Sequence, residues 1–200
     1  MKALMKFILL GLVAFSVNAV QAQDSYVVIS AGEAQLKKWC DGVGGSCDDK
    51  GTGYKILVGH NFTPNVGAEL GYVDFGKFTA TDNSFGFPIN GEAKGRAIGG
   101  SIVGNLPFNA LSLFGKAGAY YTHTELDVSA LGTSVSGSGD KFVPELGVGV
   151  RFMFNKQFGI RAEFERFFDL GDFDVSGPGG TAHVDKSDVD MFSAGIEFHF

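Results

Sequence analysis

From Tyr26 to Phe200, apolar residues alternate with polar residues or glycine, and clusters of turn-forming residues interrupt the pattern. Successive side chains of a strand point to opposite faces, so a period of two predicts two-faced β-strands. Eight segments carry it: Tyr26–Gln35, Gly53–Phe62, Val66–Phe78, Lys94–Asn105, Leu111–Thr124, Lys141–Phe154, Phe158–Phe168 and Asp188–Phe200. Three connections are short, at Thr63–Asn65, Leu106–Asn109 and Asn155–Gln157. Four are long, at Leu36–Thr52, Thr79–Ala93, Glu125–Asp140 and Leu170–Lys186, and short alternates strictly with long. The fold expected is all-β: an eight-stranded antiparallel up-and-down transmembrane barrel with short periplasmic turns and long extracellular loops.

Parity assigns the faces. In the sixth segment Phe142, Pro144, Leu146, Val148, Val150, Phe152 and Phe154 oppose Glu145, Gly147, Gly149 and Arg151. The seventh sets Phe158, Ile160, Ala162 and Phe164 against Gly159, Arg161, Glu163 and Glu165. The second, third and fifth place Lys55, Glu69 and Lys116 on the polar side, and the last does so with Glu197. The first and fourth segments read ambiguously. Parity alone cannot say which face is inside: a soluble ligand-binding barrel keeps its apolar face within, a membrane barrel turns it outward.

The two ends of the chain decide between these. Lys2 and Lys6 precede an apolar run, Phe7–Val17, and the small-residue junction Val20-Gln21-Ala22. That is a cleavable export signal over residues 1–22, too short to span a bilayer as a helix, with the barrel domain at 23–200. At the other end Phe192, Ala194, Ile196, Phe198 and Phe200 share one parity, an apolar face running out to a terminal aromatic as barrel strands do at the membrane interface. Signal, aromatic terminus and loop asymmetry together favour the outer membrane.

Composition sharpens this. Thirty glycines beside twenty phenylalanines suit a narrow lumen with an aromatic exterior better than a soluble α/β enzyme. The formal charge of −6 becomes −8 once Lys2 and Lys6 are removed, and no basic patch with interleaved aromatics appears, so nucleic acid is not an expected partner. Acids gather at loops and strand ends, at Asp41, Asp48, Asp49, Asp169, Asp172, Asp174, Asp185, Asp188 and Asp190. Cys40 and Cys47, the only cysteines, are expected as a disulfide in an exported chain, shaping one loop; no further ligands are spaced for zinc. No metal or cofactor is expected.

The polar faces would bring Lys55, Lys116, Arg151 and Arg161 into the lumen with Glu69, Glu145, Glu163, Glu165 and Glu197. Eight strands enclose a space that side chains fill, so the expectation is a lumen plugged by ion pairs. The alternative is a narrow gated channel for ions or small solutes, in which surplus carboxylates let Arg161 or Lys116 change partners. Catalysis is not expected. His60 falls on the lipid-facing parity, His199 lies at the rim beside Glu197, and His123 and His183 lie near or in loops. Gly42–Gly45 and Gly177–Gly180 lack the strand, helix and Lys-Ser/Thr context of a phosphate cradle.

Three stretches carry a resemblance: Leu113-Phe114-Gly115-Lys116-Ala117-Gly118, Glu145-Leu146-Gly147-Val148-Gly149-Val150, and Gly159-Ile160-Arg161-Ala162-Glu163-Phe164-Glu165-Arg166-Phe167. In order and spacing they resemble strands of the OmpA-like transmembrane β-barrel family, over essentially the whole of 23–200. The resemblance implies coupled acid–base pairs across the lumen at Glu69, Lys116, Glu145 and Arg161. It also implies that Phe192, Ile196, Phe198 and Phe200 form the signal read by the barrel-assembly machinery. Outer-membrane lipid and lipopolysaccharide are implied partners, with any extracellular ligand reached through the loops. The implied role is structural or one of surface interaction, in envelope integrity or adhesion. The sequence stops at the barrel, so the peptidoglycan-binding domain of OmpA, and cell-wall anchoring with it, is not implied. Some small barrels modify lipid A, a less favoured reading here.

Overall fold

The computed structural model describes residues 24–84, 86–131, 133–170, 173–177, 180–184 and 186–200, with the backbone alone at 173–177 and 180–184. The expected export signal lies outside the described residues, as do Asp172, Asp185 and part of the Gly177–Gly180 run.

Among the described residues eleven strands follow one another: β1 Ser25–Leu36, β2 Ser46–Asp48, β3 Lys50–Thr63, β4 Val66–Asp82, β5 Ile89–Phe108, β6 Leu111–Ala130, β7 Thr133–Met153, β8 Phe158–Leu170, β9 Phe173–Gly177, β10 Gly180–Val184 and β11 Ser187–His199. Eight of them close a ring in the order β1-β3-β4-β5-β6-β7-β8-β11, each antiparallel to its neighbours, and β11 returns to β1 from Tyr26↔His199 to Leu36↔Val189. Closure leaves each strand in the ring with a backbone partner on both sides, the condition for strands to stand in hydrocarbon.

The barrel is therefore the eight-stranded one expected, but its strands run further than composition suggests. The segments read as loops at Thr79–Ala93 and Glu125–Asp140 are largely strand: pairing continues from Thr79↔Glu92 to Asp82↔Ile89, and β6 with β7 pairs out to Ala130↔Thr133. Serine and glycine in Ser134–Gly139 signal a loop by propensity. A ladder needs only backbone N–H and C=O groups, so it propagates through them. The turn read at Leu106–Asn109 is tighter, because Pro107 and Phe108 still pair with Ser112 and Leu111 and Asn109 adopts φ 57°. Two pieces were not expected: β2, which pairs with β4 inside the first long connection, and the β9–β10 hairpin inside the last.

Faces sort as a membrane barrel requires. Leu70, Phe142 and Ile196 on the exterior are 71%, 72% and 62% exposed, whereas Lys55, Glu145 and Arg161 are almost fully buried. From Phe142 to Phe154 a tilted strand rises roughly 25–30 Å, enough for the apolar band of a bilayer. The two ambiguous strands resolve. Tyr26, Val28 and Ser30 of β1 point inward, as do Ala97, Ser101, Val103 and Asn105 of β5, while Ile29, Ile98 and Ile102 point outward. Their inward faces are partly apolar, which is why alternation was weak there.

Candidate functional site

Small residues make room for a charged centre. Gly147 of β7 lies beside Lys116 and Glu145, and Gly149 lies beside Phe114, so a methyl group at either position would press on those side chains. The space so preserved holds Lys55, Glu69, Lys116, Glu145, Arg151, Arg161, Glu163, Glu165 and Glu197, all buried. They form one connected web. Arg161 grips Glu69 with both terminal nitrogens, at 2.5 and 3.1 Å, and reaches Glu163 at 2.8 Å. Lys55 lies 2.5 Å from Glu163 and also pairs with Glu165. Lys116 pairs with Glu165, lies 3.2 Å from Glu163, and stands 3.9 and 3.8 Å from Glu69 and Glu145. Arg151 binds Glu197 at 2.7 Å.

Other side chains complete the web, and of these the sequence pattern had placed only His199 on the polar face, beside Glu197. Tyr26 donates its hydroxyl to Glu69 at 2.8 Å, and Ser101 donates to Glu145 at 2.8 Å. The Arg161 guanidinium lies 4.1 Å from the centre of the Phe114 ring, a cation–π contact. His199 stacks on Tyr26 and stands 2.6 Å from Glu197. Each of these sits on the inward parity of its strand, so an inward polar or aromatic residue next to a charged one was the available signal.

Charge does not fill the whole lumen. Towards the loop end lies an apolar cluster that includes Val73, Phe75, Phe78, Tyr120, Val143, Phe167 and Met191, with Trp39 packed against it from the first connection. Phe167 meets Phe75 and Tyr120 edge to face, at 4.9 and 5.3 Å between ring centres. An upper apolar zone over a lower ionic zone was not foreseen, because alternate inward residues switch from charged to aromatic within one strand, as at Glu163, Glu165 and Phe167 of β8. Cys40 and Cys47 are bonded in the connection that carries Trp39.

On the outer wall, beyond the apolar band, Asp140, His123, Glu125 and Arg96 form a chain across β7, β6 and β5, with separations of 2.7, 3.2 and 2.9 Å. The hydrogen bond to Asp140 raises the His123 pKa above its ordinary value. Glu92 receives Lys77 and Lys94 at 2.8 and 2.7 Å, which holds its carboxyl below the usual range.

Of the histidines weighed for catalysis, His60 faces outward at the turn end. Its Nδ1 lies 2.9 Å from Ser25 Oγ, and among the described residues no carboxylate is bonded to its other nitrogen. The terminal aromatics point outward: Phe158 packs on Phe198, which stacks with Phe200.

The model of one protein family, the OmpA-like transmembrane domain, matches residues 20–200. Among solved structures the chain resembles Neisserial surface protein A, NspA, at 15% identity and a TM-score of 0.61, covering 88% of this chain and 97% of that one. It also resembles Ail, the attachment invasion locus protein of Yersinia pestis, at 22% identity and a TM-score of 0.52, covering 88% and 99%. A third is the outer membrane protease OmpT of Escherichia coli, at 7% identity and a TM-score of 0.53, covering 92% and 99%. At such identities the likeness is one of fold. No curated protein sequence matches the chain.

Proposed function

Because this chain belongs to the OmpA-like transmembrane domain family, we propose that it serves the outer membrane of a Gram-negative bacterium as a structural and surface-interaction barrel, in envelope integrity or adhesion. On this reading residues 1–22 are removed on export, the short turns face the periplasm, and the long hairpins stand outside the cell. The outward face of Phe192, Ile196, Phe198 and Phe200 engages the assembly machinery, and any extracellular ligand meets the loop end.

The observation that carries the reading is the occupied lumen. Among the described residues an ion-pair web is capped by packed aromatics and by Trp39, so side chains fill the space that eight strands enclose. A filled cylinder leaves function to its wall and its rim. Hydrolysis has less to build on, since a catalytic serine needs an imidazole that is itself oriented by an acid, and the Ser25–His60 pair has none among the described residues.

Liposome swelling tests this. Vesicles holding the refolded protein should swell in solutes of graded size no faster than protein-free vesicles. Size-dependent swelling would overturn the reading in favour of the narrow channel, for which the five carboxylates facing four cations are the motive. In that case Lys116→Ala and Arg161→Ala should change the rate.

A further inference from the structure

The outer wall at the loop end carries an amphipathic groove on β3, β4, β5 and β6. Its upper part, about 610 Å3, is lined by Lys50, Lys77, Lys94 and Arg96 from three adjacent strands. Its lower part, about 330 Å3, is lined by Tyr72, Ile98 and Tyr121. Tyr72 and Arg96 line both, so the two parts adjoin. Register explains the division. Tyr72, Ile98 and Tyr121 stand side by side across three strands, and Arg96 lies two residues further on, about 7 Å along the strand. Lys77 and Lys94 face each other beyond it. Tyrosines of this kind mark the membrane–water interface, so the cations fall at headgroup height and the apolar part at the depth of the first methylenes.

Resting on the membrane reading above, we infer that this groove holds a lipid with a phosphorylated headgroup in the outer leaflet, its phosphate among Lys77, Lys94 and Arg96 and an acyl chain along Tyr72, Ile98 and Tyr121. The upper lining holds four cations and one carboxylate, Asp74, a local excess of positive charge on a chain whose net charge is −6, which fits an anionic headgroup. The cations have carboxylate partners already, Glu33, Glu92 and Glu125, but solvent screens these exposed pairs, which exchange readily. Glu92 serves two lysines at once. Glu92 and Glu125 also lie on the loop side of the cations they bind, so a headgroup approaching from the membrane reaches the cations first. A phosphate offers several acceptor oxygens, which the Arg96 fork and two ammonium groups can share.

The test uses refolded full-length chain in phosphatidylcholine nanodiscs doped with diphosphoryl lipid A, with bound lipid read by native mass spectrometry. Wild type should retain lipid A at least ten-fold more than a Lys77→Gln, Lys94→Gln, Arg96→Gln variant, and Lys156→Gln at the opposite end should retain it as wild type does. Raised salt should erode the difference. Equal retention by the triple variant, or equal retention of dephosphorylated lipid A, would overturn the inference, as would displacement by millimolar inorganic phosphate, which would mark a site for free phosphate. The substituted side chains are exposed, and heat-modifiable gel migration checks that every variant folds. A wild type that never enters the nanodisc refutes the membrane reading itself, whereas one that inserts but ignores the headgroup refutes only this inference.

Discussion

Arg161 shows how much one side chain holds in this lumen. It bonds two carboxylates, Glu69 and Glu163, and covers the Phe114 ring, while almost wholly removed from solvent. Truncation leaves those acids buried and short of a cation, so Arg161→Ala should lower stability by about 3–5 kcal/mol in urea titrations of vesicle-inserted protein. Arg166→Ala removes a pair of similar geometry, with Asp190 at 2.6 Å, from a position where the arginine side chain is 40% exposed. Its loss should lower stability far less in the same titrations, because solvent screens an exposed arginine. A second residue-scale expectation concerns His123 on the outer wall. Because its hydrogen bond to Asp140 raises the folded-state pKa, its contribution is fully present below the ordinary value of 6.5 and fades as pH rises through the raised one. Arg96, Glu125 and Asp140 face it, and the two acids are what the imidazolium bridges. Amide exchange along 122–128 and 135–141, corrected for intrinsic rates, should be faster at about pH 9 than at about pH 6, and His123→Ala should abolish the difference.

At the scale of elements, β4 depends on a bulge. Its register against β5 shifts between Asp74 and Lys77, and Gly76 adopts φ 78° with Asp74 accepting its N–H at 2.8 Å. The extra residue reverses parity, so Phe75 and Phe78 both enter the lumen and join the apolar cluster. A Cβ at position 76 would strain the backbone and press on the Thr52 carbonyl. Gly76→Ala should therefore lower stability by about 1–3 kcal/mol and loosen the aromatic plug, seen as altered near-ultraviolet circular dichroism. Simple alternation could not find this bulge, because a parity rule presumes an unbroken strand. Alternation did reach the lumen through β7 and β8, where apolar and charged or glycine positions separate cleanly. It faltered in β1 and β5, whose inward Val28 and Val103 are as apolar as their outward neighbours.

For the whole molecule, closure of β11 on β1 makes the first and last strands one structural unit. The folded barrel should migrate faster than its boiled form on detergent gels, and Cys40→Ser with Cys47→Ser should leave that shift intact, since their bond lies in a connection outside the closed ring. Loss of the shift in the double variant would tie ring closure to that loop.

The order of apolar and polar positions by itself determined that strands form, how many build the wall and, outside β1 and β5, which side chains share a face, because a period of two is a property of consecutive residues. It also brought the nine charged lumen residues to one face of their strands. It could not pair Arg161 with Glu69 rather than with a nearer acid, since partners ninety-two positions apart meet only when register and shear are set by ring closure. Nor could it divide the lumen into an ionic and an aromatic zone or stand Tyr72, Ile98 and Tyr121 abreast. Height along the barrel axis depends on how each strand slides against the next, and only the assembled hydrogen-bond ladder decides that.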